Sequence, residues 1–215
     1  MKFNLLFTTA FIALFSNGVI AQTLNTPPGD AIKSPGPAQI CAQNRAFAPA
    51  DGTQNKNNNA KVCVSTVIGQ LPAVNKMVSS IIIKPKNGAM IKRNTPIEFA
   101  VKSINLDTGF FSDPNFDYYD TPQTLNNNGV IQGHNHVTVQ KLNGNQVPDA
   151  RIFAFFKGLN DVAKNGVLVQ QIENGLPEPG LYRICTMSSS FTHQAVIMPV
   201  AQRGAQDDCI RITIM

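Results

Sequence analysis

From Met77 to the C-terminus, short apolar runs alternate with Gly, Pro, Asn and Asp punctuation. Ile81-Ile82-Ile83 is β-branched, Pro85 to Gly88 breaks the run, and the segment from Ile97 to Val101 alternates apolar with polar residues. Period-two patterning of this kind is the signature of a half-buried strand. Further strands are predicted at residues 137–142, 152–156, 167–172, 181–185, 195–200 and 209–214; only 159–164 has room for a helical turn, too short to matter. Short strands separated by turn residues predict an all-β fold, an immunoglobulin-like antiparallel β-sandwich over residues 76–215. One corner supports that architecture. In Leu176-Pro177-Glu178-Pro179-Gly180-Leu181-Tyr182, a Pro–Gly turn feeds a strand that carries Tyr182 at its start. Immunoglobulin-like domains place a tyrosine at such a corner with its hydroxyl bonded back to the turn; the alternative is a half-buried tyrosine with a wet hydroxyl.

The N-terminal part reads differently. Residues 1–21 pair an early lysine, Lys2, with an apolar run from Leu5 to Phe15 and the small-residue site Val19-Ile20-Ala21. That is a secretory signal peptide rather than a span, because the run is too short to cross roughly 30 Å of hydrocarbon. No later run approaches the ~18 apolar residues of a membrane helix, so no membrane span is expected. Residues 22–75 are rich in Pro, Asn, Gly and Gln and form an irregular, partly disordered extension, with too little apolar surface to offset the entropy of ordering.

Composition sharpens this picture. A net charge of +5 is modest, and the basic residues are scattered apart from Lys84, Lys86, Lys92 and Arg93. Nucleic-acid binding requires a denser basic stripe, so nucleic acid is not an expected partner. The four cysteines, Cys41, Cys63, Cys185 and Cys209, form no Cys-x-x-Cys pair and suit export as disulfides. Four cysteines allow three connectivities. Nearness in sequence favours Cys41 with Cys63 and Cys185 with Cys209, the latter tying the last strand to the sheet. No Asn-x-Ser/Thr acceptor for N-linked glycan is present.

The phrases "GFFSDPNFDYYDTPQTLNNNGVIQGHNHVTVQKL", "FAFFKGLND" and "GLPEPGLYRICTMSSSFTHQAVIMPVAQRGAQDDC" together resemble a family of small secreted fungal proteins, often carrying a misleading ribosomal-protein label. The resemblance runs from about Cys63 to the C-terminus. It implies a secreted, extracellular, cysteine-containing fungal protein without an established activity.

Candidate chemistry centres on histidine. In Gly133-His134-Asn135-His136-Val137-Thr138-Val139-Gln140, alternation puts His134, His136, Thr138 and Gln140 on one strand face. A His-x-His pair can chelate copper or zinc, and His193 is the only other histidine available as a third ligand. If the three act together, the His193 ring must come within about 5 Å of one of the others, so that bonds of ~2 Å to a shared ion are possible. Carboxylates in the segment from Asp113 to Asp120, or at Asp207 and Asp208, are candidate additional ligands. The competing expectation is a polar strand face, solvent-washed or hydrogen-bonding, that holds no metal, with the aspartate-tyrosine segment a surface loop anchored by its phenylalanines.

Other chemistries lack their motifs. There is no Gly-x-Ser-x-Gly elbow, His-Glu-x-x-His helix or phosphate loop. Ser188-Ser189-Ser190 near His193 shows neither an oriented base nor an oxyanion hole. With no Trp and three Tyr, an aromatic carbohydrate platform is not indicated. The sequence therefore leads first to a non-enzymatic exported protein acting at the fungal surface or host interface, effector-like, whose partner is an extracellular host or cell-wall component. The alternative is a copper or zinc protein, or a metalloenzyme, using His134, His136 and His193.

Overall fold

The structure, a computed structural model, describes residues 41, 47–54, 56 and 61–215. The expected signal peptide at 1–21 and much of the expected extension lie outside the described residues. All described residues belong to one compact unit, Lys33–Met215.

The strands are β1 (Ala48–Pro49), β2 (Val62–Cys63), β3 (Ser79–Lys84), β4 (Met90–Ile91), β5 (Ile97–Ile104), β6 (Leu106–Thr108), β7 (Ile131–Lys141), β8 (Phe155–Leu159), β9 (Val167–Ile172), β10 (Gly180–Ser190) and β11 (Cys209–Ile214). A three-stranded sheet runs β3-β5-β9. A six-stranded sheet runs β4-β11-β10-β7-β6, with β8 also paired to β7. Between them lies one apolar core. Ile97, Phe99 and Val101 of β5 and Leu168 and Ile172 of β9 meet Val137 and Val139 of β7, Ile184 of β10 and Ile210, Ile212 and Ile214 of β11. Two sheets facing each other across a shared core make a β-sandwich.

The connectivity is that of an immunoglobulin-like domain. With the short β4 and β6 set aside, the first, second and fifth strands of the domain form one sheet, and the third, fourth, sixth and seventh form the other. Tyr182 occupies the corner entering β10, is buried, and donates its hydroxyl to the Glu178 carbonyl at 2.9 Å. The long pairings are antiparallel, as expected, whereas the short edge strands β4 and β6 run parallel to β11 and β7.

Two expected segments come out otherwise. Residues 195–200 form no strand. Val196 and Met198 instead pack as buried coil on Ile131 and Val78, a smaller cluster at one end of the sandwich. Residues 159–164 form no helical turn: Leu159 closes β8, and Lys164 bridges back to Val167. A partly buried polar chain, from Asn135 through Ser188 and Ser80 to Ser103, links the two sheets.

Beyond the sandwich, described residues preceding it pack against its loops. Gly69 bridges Gln123, and the Gly52 carbonyl accepts from the Tyr118 and Tyr119 amides. The structure joins Cys41 to Cys63 and Cys185 to Cys209. Cys185 and Cys209 face each other in register on β10 and β11, so that bridge clamps the final strand to the sheet centre.

Candidate metal centre

β7 is the central strand of its sheet, flanked by β10 on one side and by β6 followed by β8 on the other. Alternation along it puts His134 and His136 on the face away from the apolar core. Gly133 precedes them for a steric reason: a Cβ there would fall 1.9 Å from the Ser189 carbonyl oxygen of the neighbouring strand. The third histidine arrives by a turn. β10 ends at Ser190, the His193 amide bonds back to the Ser190 carbonyl at 3.1 Å, and His193 takes a left-handed backbone, φ 66°. Left-handed backbone costs a side-chain-bearing residue roughly 1–2 kcal/mol. Strain of this sort collects at functional sites.

The result is one tight cluster. His134 Nε2 lies 2.8 Å from His193 Nδ1 and 3.2 Å from His136 Nε2, and His136 Nε2 lies 3.1 Å from His193 Nδ1. Each ring turns its other nitrogen to a backbone carbonyl. His134 Nδ1 donates to Phe110 (3.1 Å), His193 Nε2 to Ser112 (2.8 Å) and His136 Nδ1 to Met187 (3.3 Å). A carbonyl only accepts, so these outer nitrogens carry hydrogens, and in each ring that is neutral the inner nitrogen carries a lone pair. Outer-nitrogen bonds to carbonyls are how proteins fix the tautomer of metal-ligating histidines.

Electrostatics keep the lone pairs available. Burial, reinforced by the neighbouring His136 and His193 rings, pushes the His134 imidazole down to about 3. Burial and His193 push His136 down to about 4. Both are therefore neutral at ordinary pH. Lone pairs converging at about 3 Å repel one another unless a proton or a metal cation lies among them. Bonds of 2.0–2.1 Å to a tetrahedral ion set ligand nitrogens ~3.3 Å apart, within about half an ångström of the geometry here.

An aromatic ring backs each imidazole: Phe111 edge-on to His134, Phe156 stacked on His136 at 5.2 Å and Tyr118 stacked on His193 at 6.1 Å. A pocket of about 470 Å³ opens beside His136 and His193, walled by those aromatics and by Gly158 and Asn160.

The cluster holds all three histidines of the chain. The other expected ligands are not in it. Asp207 accepts from the Ser188 amide and the Thr186 hydroxyl, Asp208 from the Ile82 amide, and Asp113 caps Asn115. Asp117 is held by Thr121. Among the described residues no carboxylate joins the three imidazoles. The histidine face is hydrogen-bonded rather than solvent-washed: His134 is 0% exposed and His136 5%. The segment from Phe110 to Tyr118 covers it, through backbone carbonyls rather than aspartates, and Phe116 at 79% exposure anchors nothing. Ser189 Oγ sits 3.1 Å from His136 Nδ1; both are buried, and among the described residues no carboxylate bonds to the pair. The carbonyls of Phe110, Ser112 and Met187 escape sequence reasoning because a backbone oxygen leaves no residue-type signal.

Fold and site together define an immunoglobulin-like β-sandwich bearing a three-histidine cluster under a loop. The chain belongs to the CLU5d N-terminal domain family, which matches residues 80–215. It is similar to pathogenicity cluster 5 protein d of Colletotrichum graminicola, 42% identical over 167 residues, which covers 75% of this chain and 35% of that relative. The chain thus spans about a third of the relative's length, and the family extends to larger proteins than the sequence resemblance implied. Among solved structures, two forms of a Listeria innocua β-glucosidase, in complex with glucose and with laminaribiose, match at TM-scores of 0.32 and 0.31 with 7% and 8% identity. These cover 64% and 77% of this chain but 16% and 21% of the enzyme, and likenesses so remote say nothing of activity.

Proposed function

We propose that this protein is a metal-binding module in which His134, His136 and His193 hold one copper or zinc ion, leaving an outer coordination position toward the pocket. The observation that carries this reading is the convergence of three inner ring nitrogens while all three outer nitrogens are tied to carbonyls. Imidazole suits copper and zinc, and three protein ligands plus an exogenous one is the pattern of an open rather than a closed zinc site. The chain itself supplies neutral imidazoles, a fixed ring orientation and an apolar surround. It supplies no general base beside the ion among the described residues, which favours binding over hydrolysis.

In biological setting, the module acts outside the fungal cell, at its surface or at the host interface, as a secreted effector-like protein. The leader-like sequence at 1–21, the paired cysteines and the name of the Colletotrichum relative support this setting. The test is elemental analysis of protein purified without a histidine tag. About one copper or zinc per chain is expected, falling to background in His134→Ala and His193→Ala. Failure of the refolded or metal-soaked chain to retain either ion would overturn the metal reading. Specific turnover of a polysaccharide, peptide or redox substrate would overturn the non-enzymatic setting.

A further inference from the structure

The pocket beside the imidazoles contains a polar atom with nothing to bond. Asn160 Oδ1 is buried and lacks a hydrogen-bond partner among the described residues. Its position follows from strand register. β7 and β8 pair His136 with Gly158 and Asn135 with Leu159, so Asn160, one step past the ladder, comes alongside His134. Residues two apart on a strand share a face, which puts Asn160 on the face of Gly158, the histidine face. Gly158 makes room for it: a Cβ at 158 would stand 2.8 Å from Asn160 Oδ1. Both residues line the pocket together with His136 and His193.

An unpaired buried acceptor is costly and calls for a partner. The imidazoles do not serve, because their outer nitrogens are already bonded to carbonyls, and the Gln54 amide and Ser112 hydroxyl that also line the pocket donate elsewhere. The pocket that holds Oδ1 is also the one onto which the metal's outer position would open, so an occupant of that position is placed to supply the missing donor. We propose that Asn160 Oδ1 accepts a hydrogen bond from that exogenous ligand, making Asn160 the residue that selects small hydroxylic ligands over aprotic anions. The inference rests on the three-histidine metal reading. Water, an alcohol or a hydroperoxide can coordinate through oxygen while donating its O–H to the amide; azide or chloride cannot. The amide accepts the hydrogen bond without taking the proton, so Asn160 positions the ligand and is no base. The aromatic walls leave space for a ligand larger than water, with Phe111, Phe156 and Tyr118 against any carbon it carries.

The experiment loads the full chain with copper(II) and titrates it with azide, following the azide-to-copper absorption band. In the wild type, azide must displace a ligand held by both the ion and Asn160, and its arrival strands Oδ1. Asn160→Leu keeps the volume and removes the acceptor. It is expected to take up the same copper and to bind azide about tenfold more tightly, the equivalent of one hydrogen bond. Gly158→Ala is the second variant: its methyl displaces the amide without altering residue 160, and azide affinity should rise in the same direction. Unchanged azide affinity in both variants, with copper content intact, overturns the role of Asn160 and leaves the metal site standing. Copper outcompetes zinc for nitrogen ligands. A wild-type chain that takes up no copper(II) therefore overturns the metal reading, and this inference with it.

Discussion

On one face of β7, Val137 and Val139 press against the three-stranded sheet; on the other, His134, His136 and Gln140 lie beneath loops. Both faces are buried, by different means. The valine face is closed by strands that the alternating pattern itself creates. The histidine face is closed from a distance: residues 110–118 and the turn at His193 cover its lower part, and the carbonyls of Asp149 and Ile152 hold Gln140 above. Apolar burial needs only area, and it tolerates approximate partners. Polar burial requires each donor and acceptor to be matched, so the lid over the histidines is specified atom by atom.

The largest expected effect tests the valine side. Ile184 of β10, fully buried, sits in register with Val139 and Ile210 at the centre of the core. Ile184→Ala should lower unfolding stability by about 2–5 kcal/mol, from lost transfer energy and the cavity left behind. Urea denaturation measures the loss. The comparison predicts that metal uptake at saturating ion persists in the folded fraction of this variant. If metal binding vanishes while the fold remains, the two faces are not separable.

Acid should attack the other face first. His134 and His136 are held at about 3 and about 4, against a value near 6.5 in an unfolded chain. The folded state therefore binds fewer protons than the unfolded state between those limits. Stability contributed by the neutral rings is complete above about pH 6.5 and is lost as pH falls through that value toward 4. Each unit of displacement corresponds to about 1.4 kcal/mol per group, so a loss on the order of 3 kcal/mol per ring is expected as pH falls from 6.5 to 4 in metal-free protein. Denaturant midpoints at a series of pH values should show it. A His134→Gln, His136→Gln double variant should flatten the profile, and an equally steep profile in that variant would assign the acid sensitivity elsewhere.

Much of the sandwich is legible in sequence because strands announce themselves through side chains. Residues 167–172 and 209–214 were expected as strands and are β9 and β11, bounded by clear turn residues. β7 and β10 were recognised only in part. β7 begins at Ile131, six residues before the expected start, in a stretch of polar residues and glycine that propensity discounts. β8 is displaced because the apolar cluster Ile152-Phe153-Ala154-Phe155-Phe156 marks no single register, and its first two residues are exposed coil. Residues 195–200 show that an apolar run containing Pro199 can be buried without being a strand. The histidines themselves were legible, since composition leaves only one possible third imidazole. Their cover was not, because it depends on carbonyls of Phe110 and Ser112 brought in by a loop whose aspartates drew attention instead. Asn160 gave no signal at all. Its importance comes from a missing partner, a property of the folded pocket rather than of residue type.

The smallest effect concerns the corner that orients β10, which carries both the core residue Ile184 and the turn to His193. Tyr182 has two parts: a ring packed in the core and a hydroxyl bonded to the Glu178 carbonyl. Tyr182→Phe keeps the ring and removes one neutral hydrogen bond, leaving the Glu178 carbonyl to find water at the exposed turn. A loss of about 1 kcal/mol is expected, within the range for a single intramolecular hydrogen bond. The position of the bond decides what else changes. The corner lies at the Gly180 end of β10, whereas His193 follows the Ser190 end, with eleven residues of paired strand between them. Because β10 is held along its length by β7 and β11, a local loosening at the corner should not reach the turn. Copper affinity is therefore expected to be unchanged in Tyr182→Phe. A variant that lost metal binding along with its 1 kcal/mol would show that the corner sets the register of β10 as a whole. The histidine face would then depend on the same long-range order as the valine face, rather than on its own lid.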